Sequence, residues 1–406
     1  MEFIDPQLMR VTSTPYLSGS LALSIALLAG CGSQAPLKAD EAQVKQFSGK
    51  GYLTDDQYSI ATSYASWLSG DADYEIALTV PSQPGRYPLV IYLPALGENR
   101  MAGETWRTAW ARAGYAVLCL QPLVEDATAW SSARARRGDF TLLARERYSG
   151  KVMSDRLRVL SEVLKELLRH QAANESPLDR VDLSKIALAG FDLGAYTAMS
   201  VAGELQPSLI VPEFPVAIRA VIALSPYASF SGSGLESRYR SIGMPVLSIT
   251  SDEDADALGL VTSPSLRKAP YEYMPGGDKY LAILAGIPHT AFSGGNAKLD
   301  ETADSRPAAA SSSGRGESSG ASRAKGGGRK QSGRTKAVSA EGASSGADGW
   351  PGQRLTPTAR ALAVAAVQGI STAFLDSVVK EDVIAREWLR KDANRWLKDT
   401  GELKRK

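Results

Sequence analysis

The chain predicts a mixed α/β domain, a mostly parallel, doubly wound sheet with flanking helices, and three observations carry that prediction. "KIALAGF", "IRAVIALSP", "PVLSIT" and "YLAILAG" are short unbroken apolar runs, the pattern of strands covered on both faces. Stretches with helical spacing separate them, as right-handed crossovers between parallel strands require. The third observation is "IALAGFDLGAYTAM", Ile186 to Met199, which reads as a buried strand, a sharp glycine-flanked turn and a helix.

Taken in order, the elements begin after an N-terminal leader. Leu21 to Gly30, "LALSIALLAG", is too short to cross a bilayer but has the length of a secretory apolar core. Leu28, Ala29, Gly30 and Cys31 resemble the lipobox of bacterial lipoproteins. That resemblance implies a signal peptide over 1–30, a lipidated Cys31 as mature N-terminus, and a tether over 31–50. Gly32 in place of aspartate resembles the Gram-negative pattern sent on to the outer membrane, so the expected location is the cell envelope. Translation starts at Met1 or at Met9, the latter followed at once by Arg10.

The domain itself is read over 51–304. "YEIALTV" (Tyr74 to Val80) and "YPLVIYLPAL" (Tyr87 to Leu96), joined by "PSQPGR", predict an antiparallel hairpin. "ETWRTAWARAG" predicts a helix and "YAVLCLQ" a strand, with Cys119 filling its core. Leu157, Leu160, Val163, Leu164, Leu167 and Leu168 recur at helical spacing and predict a long helix over Met153 to His170. From Ser305 to Trp350 the chain is Ser, Gly, Ala and basic residues, eight Lys or Arg against three Asp or Glu. Such composition cannot build a core, and 305–350 is read as a disordered insertion. Helical periodicity returns over 351–406, with Thr356 as cap and Pro357 in the first turn, so the insertion interrupts one domain.

Composition limits the functions available. Lys and Arg total 46 against 44 Asp and Glu, a net charge of +2, which offers no pull toward nucleic acid. Two cysteines exclude a disulfide framework and a multi-cysteine metal site. No cofactor is expected, the expected partners are a small-molecule substrate and, through the lipid, a membrane, and no protein partner is assigned.

The candidate chemistry lies in three places. Gly190, Phe191, Asp192, Leu193 and Gly194 form GxDxG between a predicted strand and helix, the context of a nucleophile elbow. Asp252, Asp254 and Asp256 crowd the loop after "PVLSIT"; alternating aspartates also suit a cation-binding turn, but the glycine and distal glutamate of a calcium loop are missing. The chain has two histidines. His170 ends the long helix, where a ring suits the dipole, whereas His289 follows the last core strand in "LAILAGIPHTAFSGG". Nucleophile, acid and histidine thus occur in the order of an α/β-hydrolase triad.

From Tyr74 to His289, and in the final helices, the chain resembles α/β-hydrolases of the dienelactone-hydrolase and platelet-activating-factor-acetylhydrolase-like branch, in bacterial lipoprotein form. "YLPALGE", "WARAGYAVLCLQ", the helix around Arg156, "GFDLG", "PVLSITSDEDAD" and "AGIPHTAFSG" carry the resemblance. It implies the α/β-hydrolase fold, Asp192 at the nucleophile position, Asp254 as orienting acid and His289 as base. Asp252 and Asp256 are the other candidates for the acid. It also implies oxyanion donors at the backbone N–H groups of Leu96 and Leu193.

The sequence departs from its relatives at Asp192, where esterases carry serine and dienelactone hydrolase cysteine. A carboxylate attacking an ester would form a mixed anhydride, which reverts; attack on sp³ carbon forms an ordinary alkyl ester that water can open. Aspartate nucleophiles in this superfamily belong to haloalkane dehalogenases and epoxide hydrolases, although "LPALGE" replaces their HGxP turn and no helical cap is legible. Three readings follow: a hydrolase with Asp192 as nucleophile, one in which Asp192 and His289 activate water directly on a lactone or ester, and a non-catalytic binding module.

Overall fold

Nine strands form one sheet in the computed structural model, which describes residues 38–54, 57–69, 72–229, 234–295 and 355–406. Cys31, the leader at 1–30 and the insertion at 305–350 lie outside the described residues. In chain order the strands are β1 (Ile60–Ser69), β2 (Ala72–Pro81), β3 (Tyr87–Leu93), β4 (Ala116–Leu120), β5 (Val181–Phe191), β6 (Ile218–Leu224), β7 (Val246–Ser251), β8 (Lys279–Leu284) and β9 (Gly401–Arg405). Their spatial order is β1-β2-β4-β3-β5-β6-β7-β8-β9. β4 through β8 run parallel, while β1, β2 and β9 join by antiparallel pairing.

Before the parallel run lies α1 (Glu41–Ser48), and α2 (Glu104–Arg112) crosses from β3 to β4. Short helices α3 (Val124–Ala127), α4 (Ala133–Arg136) and α5 (Phe140–Arg147) lead into α6 (Gly150–Ala172). Then come α7 (Leu193–Ala202), α8 (Leu235–Tyr239) and α9 (Ala269–Tyr273), and at the end α10 (Pro357–Val378), α11 (Val383–Lys391) and α12 (Ala393–Leu397). The long apolar stripe expected around Leu160 is the buried face of α6, capped by Ser149. Thr356 caps α10 and Pro357 opens it, also as expected.

Both faces of the sheet are covered. Val90, Tyr92, Val117 and Cys119 face one core with Trp106 and Trp110 of α2 and Phe374 of α10. Their neighbours Leu89, Ile91 and Leu118 face the other, with Leu160 and Leu164 of α6 and Met199 of α7. Strand side chains alternate between faces, so a strand with two buried faces reads as an unbroken apolar run. Among the described residues α10 is the one helix long and apolar enough to cross a membrane, and 61% of its most apolar window is buried in the domain, as in a core helix.

Three findings differ from, or add to, the sequence reading. β2 and β3 do not form a hairpin: β4 lies between them, antiparallel to β2 and parallel to β3. The turn signal at "PSQPGR" is real, but β3 extends into the sheet interior, and β2 pairs instead with β1, an edge strand whose residues 61–66 are exposed and so carry no apolar pattern. Within the stretch read as a tether, α1 is a helix whose Phe47 stacks on Trp396 at 4.6 Å and accepts its indole N–H at 2.8 Å. β9, "GELKR", adds a ninth strand along β8.

Candidate active site

The elbow is built by a single residue. β5 ends at Phe191 and α7 begins at Leu193, so Asp192 alone makes the turn, with φ 52° and ψ −105°. That backbone is strained for a residue with a Cβ, and it persists because the surroundings fix it. Asp192 N–H donates to Leu224 O at 3.0 Å, and Asp192 O accepts from Tyr196 N–H at 2.9 Å. Both flanking glycines are required by contact: a Cβ on Gly190 would lie 2.3 Å from the Gly194 carbonyl carbon, and one on Gly194 would lie 1.8 Å from Leu93 O.

The second contact also rests the start of α7 against the turn after β3, the turn that holds Leu96. Leu193 heads α7, where no preceding helical carbonyl exists to receive its N–H. The N–H of Leu96 has no backbone partner among the described residues, while Leu96 O accepts from Trp130 Nε1 at 3.1 Å. Both expected oxyanion donors therefore stand at the same edge of the sheet as Asp192.

The three aspartates after β7 have three different surroundings. Asp252 is exposed and pairs with Lys268 Nζ at 2.9 Å. Asp256 caps its own loop, accepting the N–H groups of Leu258, Leu260 and Val261. Asp254 is fully buried, and His289 Nδ1 lies 2.7 Å from its Oδ1. Burial pushes its carboxyl upward, but the hydrogen bond from His289 and the charge of Arg267 outweigh that and hold it below the usual carboxylate range. Of the three, Asp254 is the one that meets His289, and among the described residues the aspartates do not converge on a common cation.

His289 begins a short 3₁₀ turn after β8, with its ring 4.9 Å from that of Phe191. With Nδ1 committed to Asp254, Nε2 faces the elbow and stands 4.0 Å from Asp192 Oδ2. That is beyond a direct hydrogen bond and within reach of one bridging water. The Asp192 and His289 side chains keep 15% and 18% of their surface exposed, enough for a small molecule to touch both. His170 takes no part: it pairs with Glu175 and stacks on Trp67 at 4.9 Å. Cys119 is buried, and burial pushes its thiol up to about 12, so it stays a protonated filler of the core.

Three side chains that sequence reasoning missed complete the site. Tyr148, between α5 and α6, donates its hydroxyl to Asp192 Oδ2 at 2.7 Å. Burial first, then the Asp192 charge and this hydrogen bond, hold the phenol protonated far above its ordinary range. Tyr148 also packs with Tyr196 and Tyr227 in a cluster of three rings. Ser225, the residue after β6, and Arg267, in a 3₁₀ turn over Pro264–Lys268, both contact Asp254. The one available signal was Ser225 in "ALSP", at the end of an apolar run; Tyr148 and Arg267 lie in no motif.

A groove of about 950 Å³ lies elsewhere, lined by Phe47, Trp388, Trp396 and Leu362 and passing Ile287; none of Asp192, Asp254 and His289 lines it. No protein-family model matches the chain, and no curated protein matches it.

Proposed function

We propose that this chain is a hydrolase of the α/β-hydrolase fold that uses Asp192 as a covalent nucleophile toward sp³ carbon in a small organic electrophile, an epoxide or a halide. The observation that carries the reading is the Asp254–His289 pair with its free Nε2 4.0 Å from an elbow carboxylate. The fold assignment draws support from the order of the parts: elbow after β5, acid after β7, base after β8.

In the first step an Asp192 oxygen attacks carbon, and the carbon–halogen or carbon–oxygen bond breaks with its electron pair going to the leaving group. An alkyl ester of Asp192 results. In the second step water gives a proton to His289 Nε2 and attacks the Asp192 carbonyl carbon, while Asp254 stabilises the imidazolium. The tetrahedral oxyanion resides on Asp192's own second oxygen. Tyr148 donates to that carboxyl at 2.7 Å, and the N–H groups of Leu96 and Leu193 are the further donors. Collapse expels the alkoxide, which takes the proton back from His289, and Asp192, left as the carboxylic acid, releases its proton to solvent; that restores the carboxylate and, for an epoxide, replaces the proton that the ring-opened oxygen took from solvent in the first step.

The test is mass spectrometry of protein incubated with a panel of epoxides, haloalkanes, lactones and esters in heavy-oxygen water. Wild type should carry label into Asp192 over repeated turnovers, and His289→Gln should accumulate an adduct of the alkyl mass on Asp192. Turnover without label in Asp192 would instead favour direct activation of water by Asp192 and His289. No adduct and no turnover in any protein would leave the fold as a binding module. The Cys31 lipobox adds the proposal that the domain is held at the cell envelope by lipid; Cys31→Ala should shift the protein from membrane to soluble fractions.

A further inference from the structure

Three loops that follow three successive strands meet at one buried cation. Arg267 is fully buried. Its Nε donates to Asp254 O at 3.0 Å and stands 3.1 Å from Asp254 Oδ1. Its Nη1 donates to Ser225 O at 3.0 Å and Pro226 O at 3.2 Å, and its Nη2 is 3.3 Å from His289 Nδ1. Ser225 follows β6, Asp254 follows β7 and His289 follows β8, so one guanidinium fixes the spacing of all three. A rigid fork of five donors suits that task, whereas an ammonium would not span it.

Ser225 is the other half of the arrangement. Its φ of 52° turns the chain back after β6 and brings Oγ to 2.7 Å from Asp254 Oδ1 and 2.8 Å from His289 Nδ1. Thr250 Oγ1 donates to Asp254 Oδ2 at 2.7 Å. Asp254 therefore has donors on both oxygens and one rotamer in which to accept them. The ring next to it has a choice between tautomers. A proton on Nδ1 goes to Asp254 at 2.7 Å; a bare Nδ1 would face Arg267 Nη2 at 3.3 Å and Ser225 Oγ at 2.8 Å, whose single proton is already given to Asp254 Oδ1. The shorter, charge-assisted bond wins.

We propose that Arg267 and Ser225 are positioning residues that hold Asp254 in the rotamer receiving His289 Nδ1–H, and so keep Nε2 unprotonated toward Asp192. This rests on the reading of His289 as the base. The charged and titratable groups around the ring are Asp254 and Arg267 on its Nδ1 side and Asp192, with Tyr148 behind it, on its Nε2 side.

The test needs no substrate. Long-range proton–nitrogen correlation spectra of protein labelled with ¹⁵N-histidine show which ring nitrogen carries the proton, and with two histidines in the chain, His170→Gln assigns them. Wild type should show a single Nδ1–H tautomer for His289 with a downfield Nδ1 proton. Arg267→Met should give mixed tautomers and lose that proton line, and Arg267→Lys should restore it in part at most. Ser225→Ala should also give mixed tautomers and a weaker line, because Asp254 Oδ1 loses the hydroxyl that helps to hold its rotamer. Should Arg267→Met fail to fold, the Ser225→Ala spectrum decides alone. An Nε2–H tautomer in wild type, or spectra unchanged in the variants that fold, would overturn the proposal. Failure of the covalent mechanism reads out separately, as absence of the His289→Gln adduct.

Discussion

In the mechanism proposed above, the decisive side chains at the elbow are Asp192 and Tyr148, which are joined by a 2.7 Å hydrogen bond. A hydrogen bond to a charged group is worth about 1.5–3 kcal/mol, so Tyr148→Phe should slow hydrolysis of the Asp192 ester about tenfold to a hundredfold. The adduct should then become visible in the steady state without any change at His289. Equal rates of adduct formation and decay in wild type and variant would remove Tyr148 from the mechanism. Asp192→Ser asks the complementary question. On the proposed reading, His289, Asp254 and the backbone donors are the groups that an acyl-transfer site uses, so the serine variant should gain measurable hydrolysis of short acyl esters; none would mean that the Nε2 geometry serves only the aspartate. The tight turn at Asp192 and the meeting of a carboxylate with His289 were legible because each part has a local signature: glycines around a tight turn, a carboxylate after a strand, a lone loop histidine. Tyr148, Ser225 and Arg267 reach the site from separate segments, and no local pattern records a contact made across 44 residues, as between Tyr148 and Asp192.

Among the elements, α7 joins the site to a buried ion pair. Glu204, just past its C-terminal end, is buried beside Arg238 of α8, and the Arg238 guanidinium lies over the rings of Tyr196 and Tyr227. Burial pushes the Glu204 carboxyl up to about 7 against the opposing Arg238 charge, and its Oε2 has no hydrogen-bond partner among the described residues. A carboxyl that binds its proton more tightly in the fold than in the unfolded chain stabilises the fold fully below about 4.5, and that contribution disappears as pH rises through about 7. Glu204→Gln carries no such proton. The stability difference, wild type minus variant, should therefore decline between those pH values by roughly 3 kcal/mol and then level off. Chemical denaturation at a series of pH values measures it; a flat difference would show that Arg238 fully compensates the burial. Elements were legible to the same degree as their burial. The parallel strands and α6 have unbroken or periodic apolar residues, whereas β1 is exposed over 61–66 and β9 is mostly charged, so neither carries a core pattern.

For the molecule as a whole, the question is what the 305–350 segment contributes. Its composition offers no core-forming side chains, and the described domain has both of its cores without it. Shortening the connection between Gly295 and Leu355 about fourfold lowers the cost of closing it by about 1 kcal/mol. The deletion variant should accordingly fold, keep any activity found and unfold at a slightly higher midpoint. A large drop would assign the segment a packing role.

The pairing of β9 with β8 has a consequence for the order in which the molecule is made. Leu284 and Gly401 are partners in the sheet, yet the ribosome completes β8 long before it reaches β9. During that interval β8 offers a row of open amides and carbonyls to any extended chain nearby, including the β8 of another nascent copy. Synthesis that halts before residue 401 would leave that edge bare for good. Truncated products should for this reason associate with one another through a strand that the finished molecule conceals.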